Sequence, residues 1–424
     1  MREIEGVGGA IGRTAEIGGE VPGELSIRER TWIFGLLIAP SAVTANGVIQ
    51  GGVLAFLLSR QGMDSGGYSH VIWMLSLPTS LYFLWSPVTD FLVRRRTWLL
   101  GGSLVAAALM AMALRYANLA SRGAMALMFL SVCCSQLVVS SCGGMMGALR
   151  LERSRRTAGS FYQCGSMALG AASVSVLIWM SSRVTRDVLG LAAAALIAVP
   201  ALFALAAPKQ EVIADAEFGA TMHRVWTEFK TTFLRWQALP YVLVMLFPMC
   251  SGAAVSLLPG VASAYGVNGD HVAWVNGVGG AVLMGAGTFA AMLIPVRVRA
   301  AVAYLTAGLV NAAVLGVLWL GPLRQSTYYV GLMLYLFTVG ACYAMFTAVV
   351  LEFLGDSGKS GSGRYSIINS MGNVPVLYML GLDGWGGHRW GARGLAGTEA
   401  VVGGVGAMAL LAYFLTRRSV RRGT

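Results

Sequence analysis

The 424-residue chain is 56% hydrophobic and only 12% charged. A soluble domain carries about 25% charged residues, so a water-soluble globular protein is excluded. The formal net charge of +12 is dispersed in small basic groups between apolar runs, which excludes a nucleic-acid interface and fits the orientation rule and anionic lipid.

The apolar runs are too long and continuous for alternating barrel strands, so the fold class is an all-α polytopic membrane protein. Residues 1–30 are polar, glycine-rich and mixed in charge, and read as a cytoplasmic tail without a cleavable signal. Twelve spans follow, at 31–59, 69–89, 97–114, 124–149, 158–181, 188–206, 237–262, 271–295, 300–320, 327–352, 365–382 and 400–416. The connections are short except 207–236, a charged amphipathic linker. Two pseudo-symmetric six-helix halves result, 31–206 and 237–416, followed by a cytoplasmic tail at 417–424. The stretch 383–399 is read as an outer loop. With both termini cytoplasmic, 23 of the 31 basic residues fall inside, and the outer loops keep Arg60, Arg115, Arg122, Arg183, Arg186, Arg324, Arg389 and Arg393. The expected location is a plasma membrane or bacterial inner membrane.

An internal repeat supports the halves. His70-Val71-Ile72-Trp73-Met74 opens span two, and His271-Val272-Ala273-Trp274-Val275 opens span eight, its counterpart. Between spans two and three the chain reads Ser86-Pro87-Val88-Thr89-Asp90-Phe91-Leu92-Val93-Arg94-Arg95-Arg96. This is a tight inner turn, with Asp90 bracing it and the arginines in the headgroup region. The arginines also serve as a topology signal alone.

That turn resembles the signature loop of the major facilitator superfamily, glycine-x-x-x-aspartate-arginine-x-glycine-arginine-arginine. The aspartate and the paired bases match. Ser86, Phe91 and Val93 stand where the family has glycine, arginine and glycine. The resemblance implies a gating role for Asp90, Arg94 and Arg95, and a cavity lined by spans one, four, seven and ten. The phrase Phe83-Leu84-Trp85-Ser86-Pro87-Val88-Thr89-Asp90, with Arg94-Arg95-Arg96-Thr97-Trp98 after it, resembles more narrowly the muropeptide permeases of the AmpG type, which share a subgroup with acetyl-CoA transporters. The implied function is secondary active or facilitative transport by alternating access. The solute is a small to medium polar molecule, and positive outer loops favour an anionic or sugar-containing one. The alternative is a receptor or scaffold of the same fold without net flux.

A transporter needs polar groups at membrane depth. The candidates for substrate binding are Asn46 and Gln50, four apart on one helix face, with Gln136, Tyr162, Gln163, Asn276, Asn369 and Asn373. Asn311 and Tyr343 are further polar groups within spans. The competing reading of each is a helix-to-helix hydrogen bond of roughly 1 kcal/mol or less. Carboxylates are scarce at depth. Glu352 and Asp383, at span ends, are the acids available for proton or ion coupling, and each also suits a cap or loop anchor. The six cysteines lack metal-ligand spacing and read as small packing residues. No cofactor and no metal is expected. Four scattered histidines supply no catalytic cluster, so an enzyme is not expected. Gly355–Gly363 contains Gly-Lys-Ser without the spacing of a phosphate loop. The partners are solute and lipid, and the chain is expected to act as a monomer. Pro40, Pro78, Pro87, Pro240, Pro248, Pro259 and Pro375 are expected to bend or end their helices.

Overall fold

A computed structural model describes residues 30–82, 89, 93–147, 149, 152–206, 223, 226–227, 230–231, 233–234, 236–291, 293–295, 297–354 and 361–422. The amino-terminal tail, Asp90, most of the 207–236 linker and the glycine-rich stretch at 355–360 lie outside the described residues.

Helix follows helix along the chain: α1 (Ile33–Arg60), α2 (Ser65–Ser80), α3 (Arg95–Arg115), α4 (Arg122–Gly147), α5 (Glu152–Ser181) and α6 (Arg186–Ala206). The second half brings α7 in two pieces, α7a (Leu239–Leu246) and α7b (Ala253–Val261), then α8 (Gly269–Ala291), α9 (Ala300–Leu320) and α10 (Gln325–Leu354). Two further helices, α11 (361–390) and α12 (392–422), meet at Gly391. The chain is therefore a multi-pass membrane protein of two six-helix bundles. The same neighbours recur in both halves: α3 packs on α4 and α6, and α9 packs on α10 and α12. Lipid-facing positions stay apolar and open, as at Leu191 (66% exposed) and Leu320 (73% exposed).

The region 383–399 departs from the expected loop. It is helical on both sides of a single non-helical residue, Gly391, at φ 67° and ψ −158°. Only glycine adopts that conformation without strain. Gly386 and Gly394 then let the two helices touch backbone to backbone, since a Cβ on Gly394 would meet the Gly386 carbonyl. The polar residues that suggested a loop, His388, Arg389 and Arg393, are exposed on helices that run past the apolar layer.

The halves meet at the end that the charge distribution assigns outside. The Ser59 hydroxyl donates to the Gly260 carbonyl (2.6 Å), Tyr68 to Leu257 (3.3 Å) and Ser256 to Gln50 (2.7 Å). Ser175 donates to Ala273 (2.8 Å) and accepts from the Val278 amide (3.0 Å). Arg183 clamps Asp270 with two bonds of 2.7 and 2.8 Å. Both groups are exposed and solvent-screened, so apolar packing of Val53 and Leu54 with Leu257, Leu258 and Val261 carries most of the seal. The conformation is closed at the outer end.

Asp64 and His388 add a link there, with Nδ1 2.6 Å from a carboxylate oxygen. Asp64 also caps α2 by accepting the Gly67 amide. The His388 hydrogen bond holds the Asp64 carboxyl below its ordinary range. A lowered carboxyl supports the closed state above its ordinary value and loses that support as pH falls through the lowered one. Acidification below about pH 3.9 is therefore expected to raise amide hydrogen exchange at Gly66–Ser69. Asp64→Asn, which keeps the cap, should do so at neutral pH. Equal exchange in variant and wild type would make the pair a spectator.

Candidate functional site

Both central helices are interrupted at membrane depth, and the sequence says why. In α1, Pro40 offers no amide, and the Thr44 hydroxyl bonds the Pro40 carbonyl at 2.6 Å. The helix widens to a π-helical stretch over Ala42–Ile49, with the Gln50 amide on the Ala45 carbonyl at 2.8 Å. Gly52, at φ 91°, then turns the chain into a fresh helix. In α7, Pro248 pushes Phe247 to an extended conformation (φ −77°, ψ 150°) and ends α7a. Gly252, at φ 74°, starts α7b. The two half-helices pack on each other, and a Cβ on Gly52 would meet the Pro259 ring.

Broken helices in lipid need their freed backbone groups satisfied. Tyr378 donates to the Leu246 carbonyl (2.7 Å) and Tyr304 to the Met249 carbonyl (3.1 Å). At the start of α7b the Ala253 amide bonds the Ser251 hydroxyl (3.1 Å), and the Ala254 amide bonds a Glu399 carboxylate oxygen (2.8 Å). The other oxygen of Glu399 accepts from Ser251 (2.7 Å) and Tyr335 (2.9 Å). Glu399 on α12 thus caps a half-helix of α7, where helix-end amides favour negative charge. It is 2% exposed.

Asp383 stands beside it. It is fully buried in α11, no donor among the described residues reaches either of its oxygens, and its carboxyl lies within hydrogen-bond reach of that of Glu399. Both acids are thus buried between helices, where the reading of 383–399 as an outer loop put them at its edges. Hydropathy hides them because small residues surround both, in Leu382-Asp383-Gly384 and Gly397-Thr398-Glu399-Ala400.

The remaining candidates divide by exposure. Asn46 is exposed although Val43, Ala45, Gly47, Val48 and Ile49 around it are buried. Its amide donates to the Ser166 hydroxyl of α5 (3.0 Å). Gln50, half-buried, lies at the break, its carbonyl already in the seal. Tyr162 is half-buried and Gln163 exposed on α5, and Asn373 is half-buried on α11. The side chain of Asn369 lies outside the described residues. Tyr343 of α10 is 41% exposed, and a Cβ on Gly252 would sit 2.7 Å from its hydroxyl, which places Tyr343 over the α7 break.

Three polar residues instead make contacts within one half. Gln136 is buried, with its amide 3.4 Å from the Thr79 hydroxyl. Asn276 is buried against Tyr328 (3.2 Å), and Asn311 against Thr338 (2.8 Å). At the inner end, Glu352 accepts from the Ala300 amide (3.0 Å) and from Tyr241 (2.8 Å), and lies 3.7 Å from Arg299. It caps α9. Of the residues expected to gate, Arg94 is exposed at the start of α3, and the Arg95 guanidinium covers Gly144 of α4. Cys250 and Cys342 form a disulfide between α7 and α10, which corrects their reading as packing residues. Spacing could not show this, because they lie 92 residues apart. Among the described residues no group of three or more His, Cys, Asp or Glu could hold a metal ion.

No protein-family profile matches the chain, and no curated protein sequence does. Solved structures do. A nucleoside transporter, NupG in a point-mutant form, superposes with a TM-score of 0.68 at 13% identity, over 91% of this chain and 99% of its own. A POT family transporter, solved with a thioalcohol-conjugated peptide, gives 0.67 at 11% identity over 91% and 96%. A D-xylose–proton symporter gives 0.64 at 11% over 90% and 95%. At these identities the likeness establishes the fold alone, two six-helix bundles. It does not single out the muropeptide permeases.

Proposed function

We propose that this chain is a secondary active or facilitative transporter that moves a small to medium polar solute, anionic or sugar-containing, by alternating access of its halves. The observation that carries the reading is Asn46, an exposed polar side chain among buried neighbours, one turn below a seal built wholly between the halves. A transporter closed at one end requires this arrangement. The nucleosides, peptide and D-xylose named with the similar folds are polar solutes of the same size range.

Asn46 and Gln50 are the first solute contacts in this reading, with Tyr162, Gln163 and Asn373 as further candidates. Gln136 and Asn276 shape the site through their helix contacts. Arg94, Arg95 and Asp90 belong to the inner gate. Of the two expected coupling acids, Asp383 is the better candidate, because Glu352 is already engaged by an amide, a hydroxyl and Arg299.

The test is a thermal-shift ligand screen on purified protein, followed by flux in liposomes with and without a proton gradient. Asn46→Ala with Gln50→Ala is expected to lower uptake of the solute found at least tenfold, about 1.4 kcal/mol, without reducing membrane insertion. Unchanged uptake would remove the pair from the site.

A further inference from the structure

We propose that Asp383 and Glu399 together hold one exchangeable proton, carried on Asp383, and that this proton sets the grip of α12 on the broken helix α7. As a coupling device the pair rests on the transport reading above. As a proton site it can be read with no solute at all.

Glu399 has three donors aimed at it: the Ser251 hydroxyl at 2.7 Å, the Ala254 amide at 2.8 Å and the Tyr335 hydroxyl at 2.9 Å. A carboxylate accepts three donors, whereas an acid must spend one oxygen on its own proton. Glu399 is therefore the charged member. Among the described residues no donor reaches either oxygen of Asp383, which has no exposed surface and whose carboxyl is within hydrogen-bond reach of that of Glu399. A charge there would be buried, unpaired and beside another negative charge, which is the arrangement that drives a proton onto one of two neighbouring acids.

Among the described residues the surroundings supply no cation. The groups facing the pair are Ser251 from α7, and Tyr335 and Tyr343 from α10. From α2, Ser69 abuts Gly384 and Ser65 abuts Gly387, and from α9 Trp319 abuts Gly397. Of the basic side chains of this hairpin, His388 is on Asp64, Arg393 donates to the Gly321 carbonyl at 2.9 Å, and Arg389 is exposed.

The consequence is mechanical. With the proton on Asp383, Glu399 caps α7b, and α7b seals on α1 through Ser59–Gly260 and Gln50–Ser256. When the proton leaves to water, two adjacent buried carboxylates repel, and Glu399 is the one bound to the moving helix. Loss of the proton loosens the cap and with it the outer seal. Tyr343, which faces the pair, is partly exposed over the break.

The test uses the full chain in liposomes. Infrared difference spectra across a pH series read the carbonyl stretch of a protonated carboxyl. Wild type should show one such band that titrates, absent in Asp383→Asn and displaced along the pH axis in Glu399→Gln. Amide exchange over 253–261, corrected for its intrinsic pH dependence, should rise at least about tenfold as the band disappears. It should stay flat with pH in Asp383→Asn. If that variant fails to insert, Tyr335→Phe, which keeps both acids and removes one donor, must displace the titration. A wild type without a titrating band, a band unchanged in these variants, or a band suppressed by sodium but not by choline at fixed pH each overturns the proposal. A chain that titrates but moves no solute would sink the transport reading and leave the proton site standing. Flux without titration does the reverse.

Discussion

Replacing Glu399 with alanine should lower the stability of the folded protein by about 3–5 kcal/mol, the largest loss expected from any single change here. Three donors converge on this carboxylate from two helices, and all are buried. Alanine leaves the Ser251 and Tyr335 hydroxyls and the Ala254 amide without partners, in a place water does not reach. Each orphaned group costs roughly 1–3 kcal/mol, and the start of α7b loses its counter-charge. Glu399→Gln should fall between, because its carbonyl still accepts while its NH2 cannot accept the Ala254 amide. Unfolding midpoints in detergent would measure this. An alanine variant within about 1 kcal/mol of wild type would mean that the cap contributes little.

The second large effect is expected at the seam of α8 and α10. A Cβ on Gly340 would collide with the Met284 carbonyl, and one on Gly287 with the Phe337 carbonyl. Backbone meets backbone there, and the Thr288 hydroxyl bonds both the Met284 (2.9 Å) and Gly340 (3.1 Å) carbonyls. No side chain can swing aside, so the helices themselves must part. Close approach through small residues is the main source of helix association in lipid. Gly340→Leu should therefore cost about 3 kcal/mol, at the upper end for overpacking. Gly285, on α8 as well, has open space where its Cβ would be. Gly285→Ala should gain about 0.5–1 kcal/mol from helix propensity. Similar unfolding midpoints for the two variants would refute the seam as a tight contact.

These sites differ in how far the chain alone disclosed them. The halves and the span order follow from local rules, and so does the end of α7a at Pro248, since proline disfavours a helical conformation in the residue before it. The Asn46/Gln50 pair follows from periodicity. Asp383 and Glu399 were legible only as residues at loop edges. The hairpin at Gly391 is one residue long, and an averaging window over Trp385, His388, Arg389 and Arg393 cannot tell a loop from helices protruding beyond the apolar layer.

Composition and charge thus determined a membrane bundle of two related halves, because burial of a helical backbone in lipid leaves little choice of architecture. The polar groups that could serve transport were also listed by the sequence, as types and spacings. Which of them stay exposed, which cross-brace helices, and which two acids become neighbours was decided by tertiary structure alone. A side chain's partner across a helix pair depends on rotation and depth, and these are set by glycine contacts between helices far apart in the chain.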